Sequence, residues 1–124
     1  MNYVRPMVAE AAIKPGRIVG LGAQENGVNI AAGGDFGVYS AESMAVDKEI
    51  GEHLPVVMMG PARVEAGGTV HAGEFGTADA NGKAVEIATA AGLHEYGVFF
   101  LQGGAAGELV EVLVERGSVT VPAA

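Results

Sequence analysis

Three observations predict an all-β fold: a small barrel or sandwich of short strands built from two similar units, with little helix and an extended N-terminal arm. Turn formers are dense, with 20 glycines and 5 prolines in 124 residues. The apolar runs between them are short and valine-rich, which suits half-buried strands better than long helices. Residues 13–60 also read as a diverged copy of residues 64–117, the signature of a doubled structural unit. The expected organisation is an N-terminal arm over residues 1–12 and a single β domain over residues 13–124.

The arm comes first. Pro6 opposes helix there, and Val4, Met7 and Val8 offer apolar contacts. Four correspondences then define the doubled unit. Ile13-Lys14-Pro15-Gly16-Arg17-Ile18-Val19 resembles Val64-Glu65-Ala66-Gly67-Gly68-Thr69-Val70, each an apolar residue, a Gly-containing turn and a β-prone run. Asn26-Gly27-Val28-Asn29-Ile30-Ala31 resembles Asn81-Gly82-Lys83-Ala84-Val85-Glu86-Ile87-Ala88, and both open on Asn-Gly, which accepts the positive φ of a tight hairpin turn. Asp35-Phe36-Gly37-Val38-Tyr39 resembles Glu95-Tyr96-Gly97-Val98-Phe99. Gly51-Glu52-His53-Leu54-Pro55-Val56-Val57 resembles Gly107-Glu108-Leu109-Val110-Glu111-Val112-Leu113. Residues 40–50 read equally as a helix opened by Ser40 or as an extended insert. Residues 55–59 and 97–101 are apolar on both faces, which predicts a central strand or an outer face covered by another subunit. In residues 108–115, Val110, Val112 and Val114 share one face of a strand, so that face is core.

Composition narrows the function classes. Apolar residues make up 49% and charged residues 18% of the chain, which argues against disorder. Zero cysteine excludes thiol catalysis, Cys-ligated zinc and iron–sulfur sites. A formal charge of −8 opposes nucleic-acid binding, which depends on clustered cations releasing counterions. No signal-like or membrane-length apolar run is present, so the expectation is no membrane partner and a soluble protein made and used in the cytosol.

Each short motif has a plainer reading than its chemical one. Gly20-Leu21-Gly22 lacks the third glycine and the following helix of a dinucleotide site. Gly103-Gly104-Ala105-Ala106-Gly107 lacks the Lys-Ser/Thr ending of a phosphate loop and reads as a hairpin loop. Asp35-Phe36-Gly37 spells a kinase magnesium motif without a catalytic loop before it. Asp79-Ala80-Asn81-Gly82 reads as a tight turn rather than a calcium loop. His53, His71 and His94 lack metal-ligand spacing. Ser40, Ser43 and Ser118 lack a nucleophile elbow, and Glu108, Glu111 and Glu115 form a solvated face. No catalytic, cofactor-binding or metal residue is predicted.

Taken together, the residues of 13–19, 64–70, 97–101 and 105–112 resemble the capsid decoration, or cement, proteins of tailed bacteriophages. The theme is a Gly turn with a short strand, a Gly-Val strand, and a small-small-Gly-Glu-apolar-Val strand entry. The resemblance implies a non-enzymatic virion protein on the capsid exterior that binds the major capsid protein as an oligomer, commonly a homotrimer, and stabilises the shell. On this reading Tyr3, Val4, Arg5, Pro6 and Met7 are the capsid-binding residues, the arm adding a strand to an exposed sheet edge. Two alternatives stay open. One is a small β-barrel carrier or ligand-binding module, for which Lys83 beside Asn81-Gly82 is the candidate lysine. The other is a small β-barrel hydrolase using the histidines.

Overall fold

The computed structural model describes residues 3–30, 36–42, 45–87 and 91–122. Ala31, Asp35, Ser43 and Ala88, which entered the motifs above, lie outside the described residues. The described residues are all β: β1 (Tyr3–Ala9), β2 (Arg17–Leu21), β3 (Gly27–Ile30), β4 (Gly37–Tyr39), β5 (His53–Glu65), β6 (Phe75–Ala78), β7 (Ala84–Glu86), β8 (Gly92–Phe100) and β9 (Leu109–Val121). None of them is helical, and the described part of residues 40–50 is irregular. Tyr39 anchors the described part of that segment at Val46. Its buried hydroxyl donates to the Val46 carbonyl at 2.6 Å and accepts from the Val46 amide at 3.2 Å.

The strands close into a barrel in the order β1-β3-β2-β4-β5, with β5 returning to pair antiparallel with β1. A second ring follows the same plan in the order β5-β9-β8-β6-β7, closed by a parallel bridge between Ala66, just past β5, and Ala84. Strand β5 is therefore the last strand of one barrel and the first of the next. Its 13 residues divide at Gly60, whose φ of 109° suits only glycine. Before that point β5 pairs with β1 and β4; from Gly60 onward it pairs with β9.

The two rings match element by element. Gly16 donates to the Tyr39 carbonyl at 2.7 Å, as Gly73 does to the Phe100 carbonyl at 2.8 Å. Ile13 bridges Lys48, as Val70 bridges Gly104. Gly51 donates to Ala9, as Gly107 does to Ala66, both at 2.8 Å. The pairing of Gly51-Glu52 with Gly107-Glu108 is the one read from the sequence. The other three sequence correspondences are displaced: the counterpart of Ile13 is Val70, not Val64; that of Asn26 is Gly82, not Asn81; and that of Tyr39 is Phe100, not Phe99.

Residues 3–9, expected as part of an extended arm, form a strand of the first barrel, and Met7 and Ala9 sit in its core. That core also holds Val19, Val28, Leu54 and Val56, while Val98, Phe100, Val110, Val112 and Val114 fill the second. The doubly apolar run 55–59 has a simple explanation. Val56 points into the first barrel, and Val57, on the opposite face, joins Ile18 and Val38 against the second. The chain's own second barrel covers much of the face that might have required another subunit.

Candidate functional site

The capsid-contact residues proposed from sequence do not share one environment. Met7 is 3% exposed and packs in the first barrel's core, so it is not available to a partner. Tyr3, Val4, Arg5 and Pro6 are exposed. They lie on the stretch of β1 that pairs with β5 on one side and, among the described residues, has no strand partner on the other, because β3 pairs only with Val8 and Ala9. The amide of Val8 donates to the Asn26 carbonyl on the β3 side. Pro6, two residues earlier, aims its nitrogen the same way and has no N–H to offer. The open edge is thus blunted against unspecific strand addition. Arg5 is held at this edge by a 2.7 Å hydrogen bond from its guanidinium to the Asn26 side-chain oxygen.

Sequence reasoning missed two parts of this surface. Met59 stands opposite Tyr3 in the β1–β5 register, and the two are 61% and 56% exposed, so an apolar pair sits at the open end of the edge. The signal was present in the apolar run 55–59, but the alternation alone does not say which residue ends outside. The second part is a two-stranded ribbon. Beyond the irregularity at residues 96–98, residues 92–96 of β8 pair with 117–121 of β9, past the last pairings of β8 with β6 and of β9 with β5. Leu93 on the ribbon is 68% exposed. At its base Tyr96 stacks on Phe75 with ring centroids 4.1 Å apart, and Arg116 lies 5.4 Å over the Phe36 ring.

The motifs that resemble chemical sites have structural occupations. The backbone amides after Gly22 form a small anion nest, and the chain's own Glu10 fills it, accepting from Ala23 at 2.9 Å and Gln24 at 2.8 Å. Asp79 caps its own turn, its carboxylate accepting from the amides of Asn81 at 2.8 Å and Lys83 at 3.0 Å. In the 103–107 loop, Glu108 accepts from the Ala105 amide at 2.6 Å. Ser40 accepts from the Arg63 amide and donates to Glu42. Among the described residues no group of three or more metal-ligating side chains comes together. His71 instead pairs with Glu86 at 2.8 Å on the surface.

Lys83 does not stand free at a hairpin tip. Its ammonium meets one oxygen of Glu65 at 3.1 Å while Arg17 takes the other at 2.7 Å. The Arg17 hydrogen bond, reinforced by Lys83, holds the Glu65 carboxyl below the usual carboxylate range despite the opposing effect of partial burial. This cluster ties the two barrels together, alongside a 2.7 Å hydrogen bond from the Ile18 amide to the Gly82 carbonyl.

The fold and this surface define an all-β tandem-barrel chain with an open, apolar strand edge. No family model and no curated protein matches it. Among solved structures it is similar to the head fiber gp8.5 N base in bacteriophage phi29, at 18% identity and a TM-score of 0.59, over 93% of this chain and 95% of that one. The likeness therefore spans both barrels. At that identity it shows a shared fold.

Proposed function

We propose that this chain is a structural protein of a tailed-bacteriophage virion, bound to the capsid exterior through the major capsid protein as a homotrimer and stabilising the shell without catalysing a reaction. The observation that carries the reading is a fold likeness to a phage head-fiber base over nearly the whole of both chains. The sequence resemblance to decoration proteins points the same way. The exposed Tyr3, Val4 and Met59 supply the apolar contact, with Arg5 and Pro6 beside them at the open edge of β1. Side-chain fit carries more of the affinity here than an added strand, because Pro6 removes a ladder donor. Many copies on one lattice then act together.

Deleting the first eight residues is a poor test, since it would remove Met7 and the strand that closes the first barrel. The informative variant is Tyr3→Ser with Val4→Ser and Met59→Ser, which leaves the core intact. Purified protein is mixed with expanded and unexpanded shells of the phage that carries it, and bound copies are counted after sedimentation. The wild type should saturate the shell while the triple variant binds at least tenfold more weakly with an unchanged melting temperature. Equal occupancy by both proteins would remove these residues from the contact, and failure of the wild type to bind either shell would overturn the proposed function.

A further inference from the structure

The chain is acidic, yet its few cations are not scattered. Of its 7 Lys and Arg residues, Lys14, Arg17, Lys48 and Lys83 line a single cleft of about 450 Å³ where the two barrels meet. The cleft is assembled from the segment between β1 and β2, the segment before β5, and the β6–β7 turn. No stretch of sequence shows this grouping.

The charges within the cleft are unequally engaged. Glu65 serves both Arg17 and Lys83, so one carboxylate faces two cations. Lys14 and Lys48 form no salt bridge among the described residues. Asp47 and Glu49 also line the cleft, both exposed to solvent, where a carboxylate offsets a nearby ammonium only weakly. Ala12, which is exposed, and Ile30, which is half-buried, supply apolar lining beside the charges. The chain's remaining negative charge does not cancel this local field, because exposed charges more than about 10 Å apart are largely screened at about 0.1 M salt.

We propose that this cleft binds an acidic peptide segment of a partner protein, with Lys14 and Lys48 receiving a carboxylate and Ala12 and Ile30 contacting its methylene stem. The inference goes beyond the capsid reading and does not depend on it, since it concerns a different surface and is tested with the purified chain alone. A glutamate side chain suits the site because it joins an oxyanion to a short apolar stem. A free inorganic anion would use the lysines but not the apolar lining.

The test is a titration of the isotopically labelled full chain with hexaglutamate peptide in about 0.1 M salt, followed through backbone amide signals, with inorganic phosphate in a parallel arm. Peptide binding should move the signals of Lys14, Lys48, Asn81 and Lys83, and weaken steeply as salt is added. The variant Lys14→Gln with Lys48→Gln should bind the peptide about tenfold more weakly, a change equivalent to about 1.4 kcal/mol. In the opposite direction, Asp47→Asn with Glu49→Gln should bind several-fold more tightly, which a merely structural role for the cleft would not produce. The proposal is overturned if the peptide moves only signals elsewhere, if the lysine variant binds equally well, or if phosphate occupies the cleft at concentrations where the peptide does not. Loss of shell binding with peptide binding intact would count against the capsid reading alone.

Discussion

The first and second barrels solve one structural problem with different residues. Both need a carboxylate at the turn after their second strand, β2 in one and β6 in the other. The first brings it from outside, with Glu10 reaching over Gly22; the second supplies it from within the turn, with Asp79 sitting against Gly67. By the matching of the two rings, Glu10 corresponds to Gly67 and Gly22 to Asp79. Acid and glycine have exchanged places. A side-chain Cβ at Gly22 would lie 2.1 Å from the Glu10 carboxylate, and one at Gly67 would lie 2.5 Å from that of Asp79. What the barrels share is a backbone hydrogen-bond requirement, which different side chains can meet.

The cores also differ at matching positions. Val19 and Tyr39 in the first barrel correspond to Gly76 and Phe100 in the second. A Cβ on Gly76 would come within 2.5 Å of the Phe100 ring, so that ring occupies the space a side chain at position 76 would need. Phe100 is fully buried with no polar duty, whereas Tyr39 also ties down the 40–50 insert through Val46.

The sharpest way to break the comparison is at this pair. Phe100→Ala should cost about 3–5 kcal/mol in denaturant unfolding, whereas Tyr39→Phe keeps the ring and should cost about 1 kcal/mol through its lost hydrogen bonds. Similar losses for the two would mean that the second barrel's core tolerates a cavity that close packing forbids.

The turn carboxylates come next. Glu10→Gly should lose about 1–2 kcal/mol, because two charge-assisted hydrogen bonds disappear. Adding Gly22→Asp to it rebuilds the second barrel's arrangement in the first and should restore most of that loss. If the double variant is no more stable than Glu10→Gly, the exchange of acid and glycine is not an equivalent solution.

The smallest effect concerns the junction. The folded-state pKa of Glu65 lies below its ordinary value near 4.5, so its ion pairs stabilise the protein above that pH and are lost as pH falls through the lowered value. Glu65→Gln should therefore lower stability modestly near neutrality, where the ion pairs are present, and flatten part of the acid limb, so that the two proteins converge at low pH. An acid limb identical to that of the wild type would remove Glu65 from the junction's energetics.

Particular elements show what could be read early. The alternation in residues 109–114 placed Val110, Val112 and Val114 in a core because period-two burial is local to a strand. Gly51-Glu52 and Gly107-Glu108 were matched because each pair builds its own turn. Residues 3–9 form a barrel strand rather than the expected arm because their partners are β3 and residues 53–59, and pairing at that separation leaves no local pattern. The repeat boundaries were misplaced for a related reason: residues 64–65 belong to the strand both barrels use, so the second copy has no separate beginning. The exposed pair of Tyr3 and Met59 and the four-cation cleft share that origin in non-local pairing.

By itself the sequence determined that this chain is all β, doubled and acidic, because turn chemistry, side-chain alternation and net charge are properties of short segments or of the whole composition. Only the tertiary structure decided that the two units share β5, that Met7 is core while Tyr3 is surface, and that scattered lysines converge. Those outcomes depend on which strands pair across the ring, and ring closure is a property of the whole chain.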